Sequence, residues 1–261
     1  GARPLILSTT REQGFRPTAE HLDAALSRAT SPKWIVLNAP GNPSGALYSR
    51  EQLLAIAEVL RRYPGVMVLS DDIYSEIRYT DDPYQTLATV APDLRDRILI
   101  VDGVSKVYAM TGWRVGWGCG PTQLITTISS VQSQNCTQTS TLSQLAAVSA
   151  LTGPQALVGE RNAIYRQRRD AALQILRACE AIDVACPEGA FYLYADISKF
   201  GGDAFAFCRH FLETEHVAFT PGLDFGRYQA SHHVRFAYTQ NLARLQEAVE
   251  RIARGLKSWQ G

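Results

Sequence analysis

The sequence predicts an α/β protein: a mostly parallel sheet flanked by helices, followed by a smaller α+β domain. Three observations predict it. Short apolar runs, Trp34-Ile-Val-Leu37, Val66-Met-Val-Leu69 and Ile98-Leu-Ile-Val101, have the length and β-branched content of buried strands. Helical periodicity over residues 49–62 separates the first two runs, as a crossover between parallel strands requires. After Gly116 the pattern turns helical, and the last third mixes strand and helix.

Each element has its own local reason. A Pro/Gly turn closes the first run. Ser49 is placed to cap the helix that follows, and Gln52 stands where a capping box needs it. Unbroken apolar runs imply strands covered on both faces. Residues 122–134 and 141–151 read as helices, and a long helix is expected from residue 155 to about Cys179. Its Arg161, Arg166, Arg168 and Arg169 are expected to form a solvated face. Residues 189–196 and 233–238 read as strands, and residues 203–213 and 242–256 as helices. The expected division is a large domain over residues 1–155 and a small α+β domain over residues 156–261.

Composition narrows the function classes. With 261 residues, 46% apolar and 20% charged, the chain can bury a sizeable core. The net charge is +1 and no basic stripe stands out, so a nucleic-acid partner is not expected. No apolar run approaches ~18 residues, so no membrane span is expected. The opening Gly1-Ala-Arg-Pro lacks the marks of a secretory leader. Five cysteines, Cys119, Cys136, Cys179, Cys186 and Cys208, form no CxxC pair. Neither a structural zinc nor a disulfide framework is expected, and a cytoplasmic location follows.

Three loops follow the carboxyl ends of the predicted strands, the edge where open α/β sheets bind ligands. They are Asn38-Ala-Pro-Gly-Asn-Pro-Ser-Gly45, Ser70-Asp-Asp-Ile-Tyr74 and the stretch from Asp102 through Ser105-Lys106 to Met110-Thr-Gly-Trp-Arg114. Taken singly, each residue has an ordinary reading. Asn42 suits a turn, and Asp71 could cap the next segment. Tyr74 could be a half-buried tyrosine, and Lys106 and Arg114 surface charges. Arg235, in His-Val-Arg-Phe-Ala-Tyr238, could face solvent on an alternating strand.

Their combination and spacing resemble the class I/II aminotransferases of the pyridoxal-phosphate fold type I, of which aspartate and aromatic aminotransferases are familiar members. Gly189-Ala-Phe-Tyr192, Pro221-Gly-x-x-Phe-Gly226 and Val234-Arg-Phe-Ala-Tyr238 extend the resemblance, which runs from about residue 14 to the end. It implies an aminotransferase that uses pyridoxal 5′-phosphate to move an amino group between an amino acid and a 2-oxo acid. It implies Lys106 as the amine that bonds the cofactor and then carries a proton between the substrate Cα and the cofactor's C4′ carbon. Asp71 resembles the carboxylate that keeps the pyridine nitrogen protonated. Tyr74 and Asn42 resemble the donors to the ring's phenolic oxygen, and such bonds favour the charged form. Arg114 resembles the phosphate clamp, with Ser105 adding a hydroxyl. Arg235 resembles the arginine that binds the substrate's α-carboxylate, and Asn42 stands beside it in that role.

The resemblance also implies a homodimer. It implies a further amino-terminal segment with a phosphate-binding helix, a stacking aromatic and a partner-directed tyrosine. None of these is matched here, so activity of this chain alone is not expected, and apolar sheet surface is expected to lie exposed. Asp72 stands where many family members have glutamate, with no chemical consequence expected. Other readings share these loops: a carbon–sulfur lyase or synthase of the same fold, a non-catalytic aminotransferase-like regulatory module, or an inactive remnant.

Overall fold

The computed structural model describes residues 3–178 and 182–259. These divide into two compact units: Gly1–Gly41 with Ala46–Val158, and Asn42–Gly45 with Gly159–Gly261. The second unit thus takes a short piece of the first predicted loop, and its main break falls three residues beyond the expected one.

In the first unit, helix α1 (Ala19–Arg28) begins where the Thr18 side chain accepts from the His21 N–H. Strand β1 (Trp34–Asn38) leads to helix α2 (Arg50–Arg62), and strand β2 (Met67–Asp71) follows. The Ser49–Gln52 capping box forms in both directions. At the other end of α2, Arg97 donates to the carbonyls of Leu60, Tyr63 and Val66, adding to the backbone N–H bonds that Leu60 and Tyr63 already accept. The short helix α3 (Leu87–Val90) precedes strand β3 (Ile98–Gly103). The sheet order is β1-β2-β3 in parallel. Leu22 and Leu26 of α1, Ile56 and Leu60 of α2 and Leu87 of α3 bury against Ile35, Leu37 and Val68 of the strands.

Two sequence expectations need correction here. The strands are not covered on both faces: Ile35 and Leu37 are buried, but Trp34 and Val36 are 44% and 65% exposed. An apolar run records what each face could bury, not what packs there. The chain also does not turn directly to helix after Gly116. Strand β4 (Gly116–Cys119) pairs antiparallel with β3. Its Gly-Trp-Gly-Cys sequence hides it, since glycine is poor in strands. The close strand approach explains the glycines: a Cβ on Gly103 would lie 2.7 Å from the Val115 carbonyl oxygen, and one on Gly116 2.9 Å from that of Asp102. Helices α4 (Thr122–Asn135) and α5 (Thr141–Thr152) complete the unit, and α5 exposes Leu142, Leu145 and Val148.

In the second unit, most of helix α6 (Ala156–Ala178) precedes strands β5 (Asp183–Val184) and β6 (Tyr192–Asp196). The expected end of the long helix at Cys179 lies outside the described residues. Its arginines are not simply a solvated face. Arg168 donates to the Thr239 carbonyl and stacks on Tyr165, while Arg169 donates to the Pro187 carbonyl and pairs with Asp170. Guanidinium groups on apolar stems can do this without leaving water entirely.

Helix α7 (Ala204–Thr214) is capped by Asp203, strands β7 (Thr220–Pro221) and β8 (His233–Ala237) follow, and helix α8 (Leu242–Ser258) is capped by Asn241. The sheet order is β5-β6-β8-β7, antiparallel throughout. Leu193, Phe236, Phe207, Phe211, Val249 and Ile252 are buried core residues of this unit's strands and helices. Among the described residues no helix is long and apolar enough to cross a membrane.

Candidate active site

In the first unit, chemistry gathers where β1, β2 and β3 end. Asn38 and Asp71 are register partners at the last rung of β1 and β2, and the Asn38 side chain donates to the Asp71 carbonyl at 3.1 Å. The Asp71 carboxylate accepts from the Ile73 N–H at 3.3 Å. Burial pushes its pKa up, and that N–H bond opposes the rise. Asp72 is buried and accepts from the Ser70 hydroxyl at 2.7 Å; burial raises its pKa too. Asp102 accepts from the Gly103 N–H at 2.6 Å, and burial raises it to about 6, aided by the charges of Asp72, Asp71 and Glu76. Three carboxylates therefore shape one strongly electronegative sheet edge.

Lys106 follows on the loop after β3. Its Nζ stands 5.9 Å from the centre of the buried Tyr74 ring. Among the described residues the amine makes neither a hydrogen bond nor an ion pair. Ser105 is half-buried beside it in sequence. Arg114 closes a single 3-10 turn in the left-handed region, at φ 54°. Its Nη1 donates to the Thr111 carbonyl at 3.0 Å, and its exposed guanidinium has no acidic partner among the described residues. The structure thus brings Lys106 to Tyr74 and ties Asn38 to Asp71. Ser105 and Arg114 lie on the same stretch of chain, and among the described residues neither hydrogen-bonds the Lys106 amine.

In the second unit, Arg235 of β8 has an unusual surrounding. Its Nη1 donates to Asn42 Oδ1 at 2.8 Å and its Nη2 to Thr220 Oγ1 at 3.0 Å. Its guanidinium lies 4.5 Å from the Tyr192 ring centre and 4.8 Å from that of Phe225. Nε is buried with no acceptor, and no carboxylate pairs with the group among the described residues. The ordinary reading of Arg235 as a solvent-facing strand residue does not hold. A half-buried cation held only by neutral oxygens and aromatic faces lacks an anion, since buried charges are normally paired.

Sequence reasoning assigned no role to Thr220, Tyr192, Phe225 or Asp102. Tyr192 and Phe225 stood in quoted motifs. Thr220 carried no signal at all, because only the β7–β8 pairing sets it opposite Arg235. The four described cysteines, Cys119, Cys136, Cys186 and Cys208, are free thiols, and Cys179 lies outside the described residues. Among the described residues no group of His, Cys, Asp and Glu is arranged to hold a metal.

A mixed sheet carrying acids and an unpaired amine at its strand ends, followed by an antiparallel α+β unit, defines the class: the fold type I architecture of pyridoxal-phosphate transferases. Comparison with known proteins narrows it. The sequence model of the aminotransferase class I and II family matches residues 1–252, and the chain belongs to that family. The match starts ahead of residue 14, where the recognisable motifs begin. An aspartate aminotransferase of Rhizobium meliloti is 41% identical over 96% of this chain and 62% of its own length. A probable aspartate/prephenate aminotransferase of Rickettsia felis is 39% identical over 98% of this chain and 64% of its own. The crystal structure of a Rhizobium meliloti aspartate aminotransferase superposes with a TM-score of 0.91 at 40% identity, over 98% of this chain and 65% of that one. An aromatic aminotransferase from Pyrococcus horikoshii gives 0.92 at 30% identity, over 99% and 68%. The chain therefore spans somewhat under two thirds of the length of the curated relatives.

Proposed function

We propose that this chain is the cofactor-carrying part of an aminotransferase that moves an amino group between an amino acid and a 2-oxo acid with pyridoxal 5′-phosphate. The supporting observation is the Lys106 amine over the Tyr74 ring, free of any hydrogen bond or ion pair among the described residues. A buried-edge lysine with no anion is placed for chemistry rather than for structure.

The donor set fits the cofactor. Lys106 would hold its aldehyde carbon. Asp71, a half-buried carboxylate on an electronegative edge, would hold the ring nitrogen in its protonated form. Tyr74 and Asn42 would donate to the phenolic oxygen. Arg114, exposed and unpaired to any acid, would clamp the phosphate, with Ser105 adding a hydroxyl. When bound, the cofactor supplies an electron sink for the bond broken at the substrate's Cα. Lys106 would take the Cα proton at Nζ and release it toward the cofactor's C4′ carbon, as a positioned base and acid. Arg235 would hold the α-carboxylate and so fix which Cα bond is aligned for cleavage. The relatives' names further suggest a dicarboxylic or aromatic amino acid as donor; a homodimer is what the family resemblance implies, and a cytoplasmic setting is what the cysteine pattern implies.

The test is amino-group bookkeeping. The full-length protein with the cofactor, aspartate and 2-oxoglutarate should form glutamate only when the 2-oxo acid is present. Release of ammonia and a keto acid without 2-oxo acid would instead mark a lyase. Absence of both products alongside tight cofactor binding would mark a non-catalytic module.

A further inference from the structure

The β7–β8 pairing sets Thr220 directly across from Arg235. The threonine's Oγ1 accepts from Arg235 Nη2 at 3.0 Å, and among the described residues nothing accepts its own proton. A hydroxyl can donate once while it accepts. Its proton is therefore uncommitted beside a guanidinium that has no anion.

The group's other surroundings restrict where an anion can arrive. Tyr192 and Phe225 lie within 4.8 Å of the guanidinium carbon. Nε is buried without an acceptor. Nη1 and Nη2 each give one proton to a neutral oxygen and keep a second. An incoming carboxylate is thus left the Nη1/Nη2 end, which is the end Thr220 borders.

From this we infer that Thr220 is a substrate-binding residue: its hydroxyl donates to the α-carboxylate that Arg235 holds, while Tyr192 and Phe225 are positioning residues that fix the plane of the guanidinium. The inference rests on the carboxylate-binding role proposed for Arg235. It extends recognition to a neutral donor, which meets a second carboxylate oxygen beside those that the guanidinium holds. Gly222 makes the arrangement possible. A Cβ there would lie 2.4 Å from the Ala230 carbonyl oxygen and 2.8 Å from the Tyr194 hydroxyl, so only glycine permits the tight turn that delivers Phe225.

The experiment titrates propionate, and its neutral isostere propionamide, into the 261-residue chain by calorimetry or ligand-observed NMR. Thr220→Val should weaken propionate by about tenfold, as expected for losing a hydrogen bond to a charged group, and leave propionamide nearly unaffected. Thr220→Ser should bind like the parent. Equal weakening of both ligands, or no weakening while Arg235→Leu abolishes propionate binding, would overturn the role of Thr220 and leave that of Arg235 standing. Propionate binding that survives Arg235→Leu would overturn the Arg235 reading itself. Thr220→Ala serves as a second variant should the valine disturb folding, and the same ratio decides.

Discussion

The Lys106 amine faces the ring of Tyr74 across 5.9 Å, and among the described residues no carboxylate pairs with it. The phenol and the amine thus belong to one small space at the end of β2 and β3. If Tyr74 donates to the cofactor's phenolic oxygen, it stabilises that oxygen's anion and so keeps the bound chromophore's pKa low. Tyr74→Phe should move the pH at which the bound cofactor changes colour upward by about one unit, the worth of one hydrogen bond. Absorbance titration of the loaded protein measures it. An unchanged titration would remove Tyr74 from the cofactor.

Asp71 is held half-buried against the Ile73 N–H and tied to β1 through Asn38. Its proposed work is to keep a ring nitrogen charged, which an amide cannot do. Asp71→Asn preserves shape and the bond from Ile73. In the full-length protein it should lower the transamination rate by roughly a hundredfold, consistent with losing a charge-assisted contact of about 2–3 kcal/mol. Steady-state rates at saturating cofactor check this; a loss under threefold would contradict it.

Asp102 gives a prediction about stability rather than catalysis. Its pKa is raised by burial to about 6, above the 3.8 of the unfolded chain. A folded state that prefers the protonated form is favoured below the unfolded value and loses that advantage as pH rises through about 6. Charged Asp102 is therefore a cost at neutral pH. Asp102→Asn keeps an oxygen for the Gly103 N–H and should raise stability at pH 7.5 by about 1–2 kcal/mol, with no gain at pH 4. Thermal melts of both proteins at the two pH values test it. A gain that is the same at both would assign the effect to packing.

Gly222 links backbone geometry to recognition. Gly222→Ala forces a Cβ to 2.4 Å from a backbone oxygen, so the turn must shift and carry Phe225 with it. The variant should lose about 1–3 kcal/mol of stability, as overpacking costs, and bind carboxylates more weakly. Chemical denaturation together with propionate titration measures both. Weakened folding with unaltered binding would show that Phe225 is not needed to hold Arg235.

Much of this was legible in the sequence because local chemistry announced it. The Ser49–Gln52 capping box, the apolar strand runs and the Lys106 loop each follow from residue types at fixed spacing. What stayed hidden depends on pairing. β4 escaped because its glycines serve a close approach to β3 and carry no strand signal of their own. Thr220 escaped because a two-residue strand sets it opposite Arg235 from fifteen positions away. The α6 arginines were read as solvated because a helix-surface pattern does not reveal the Thr239 and Pro187 carbonyls they reach. Trp34 and Val36 were read as covered because an apolar run specifies burial potential on both faces, while α1, α2 and α3 pack on one.

The most direct measurement is borohydride reduction of the protein saturated with pyridoxal 5′-phosphate, followed by peptide mapping. The account predicts one reduced cofactor adduct per chain, located on Lys106, and none in Lys106→Ala. An adduct spread over surface lysines such as Lys33 and Lys257, or no adduct at saturating cofactor, would contradict it.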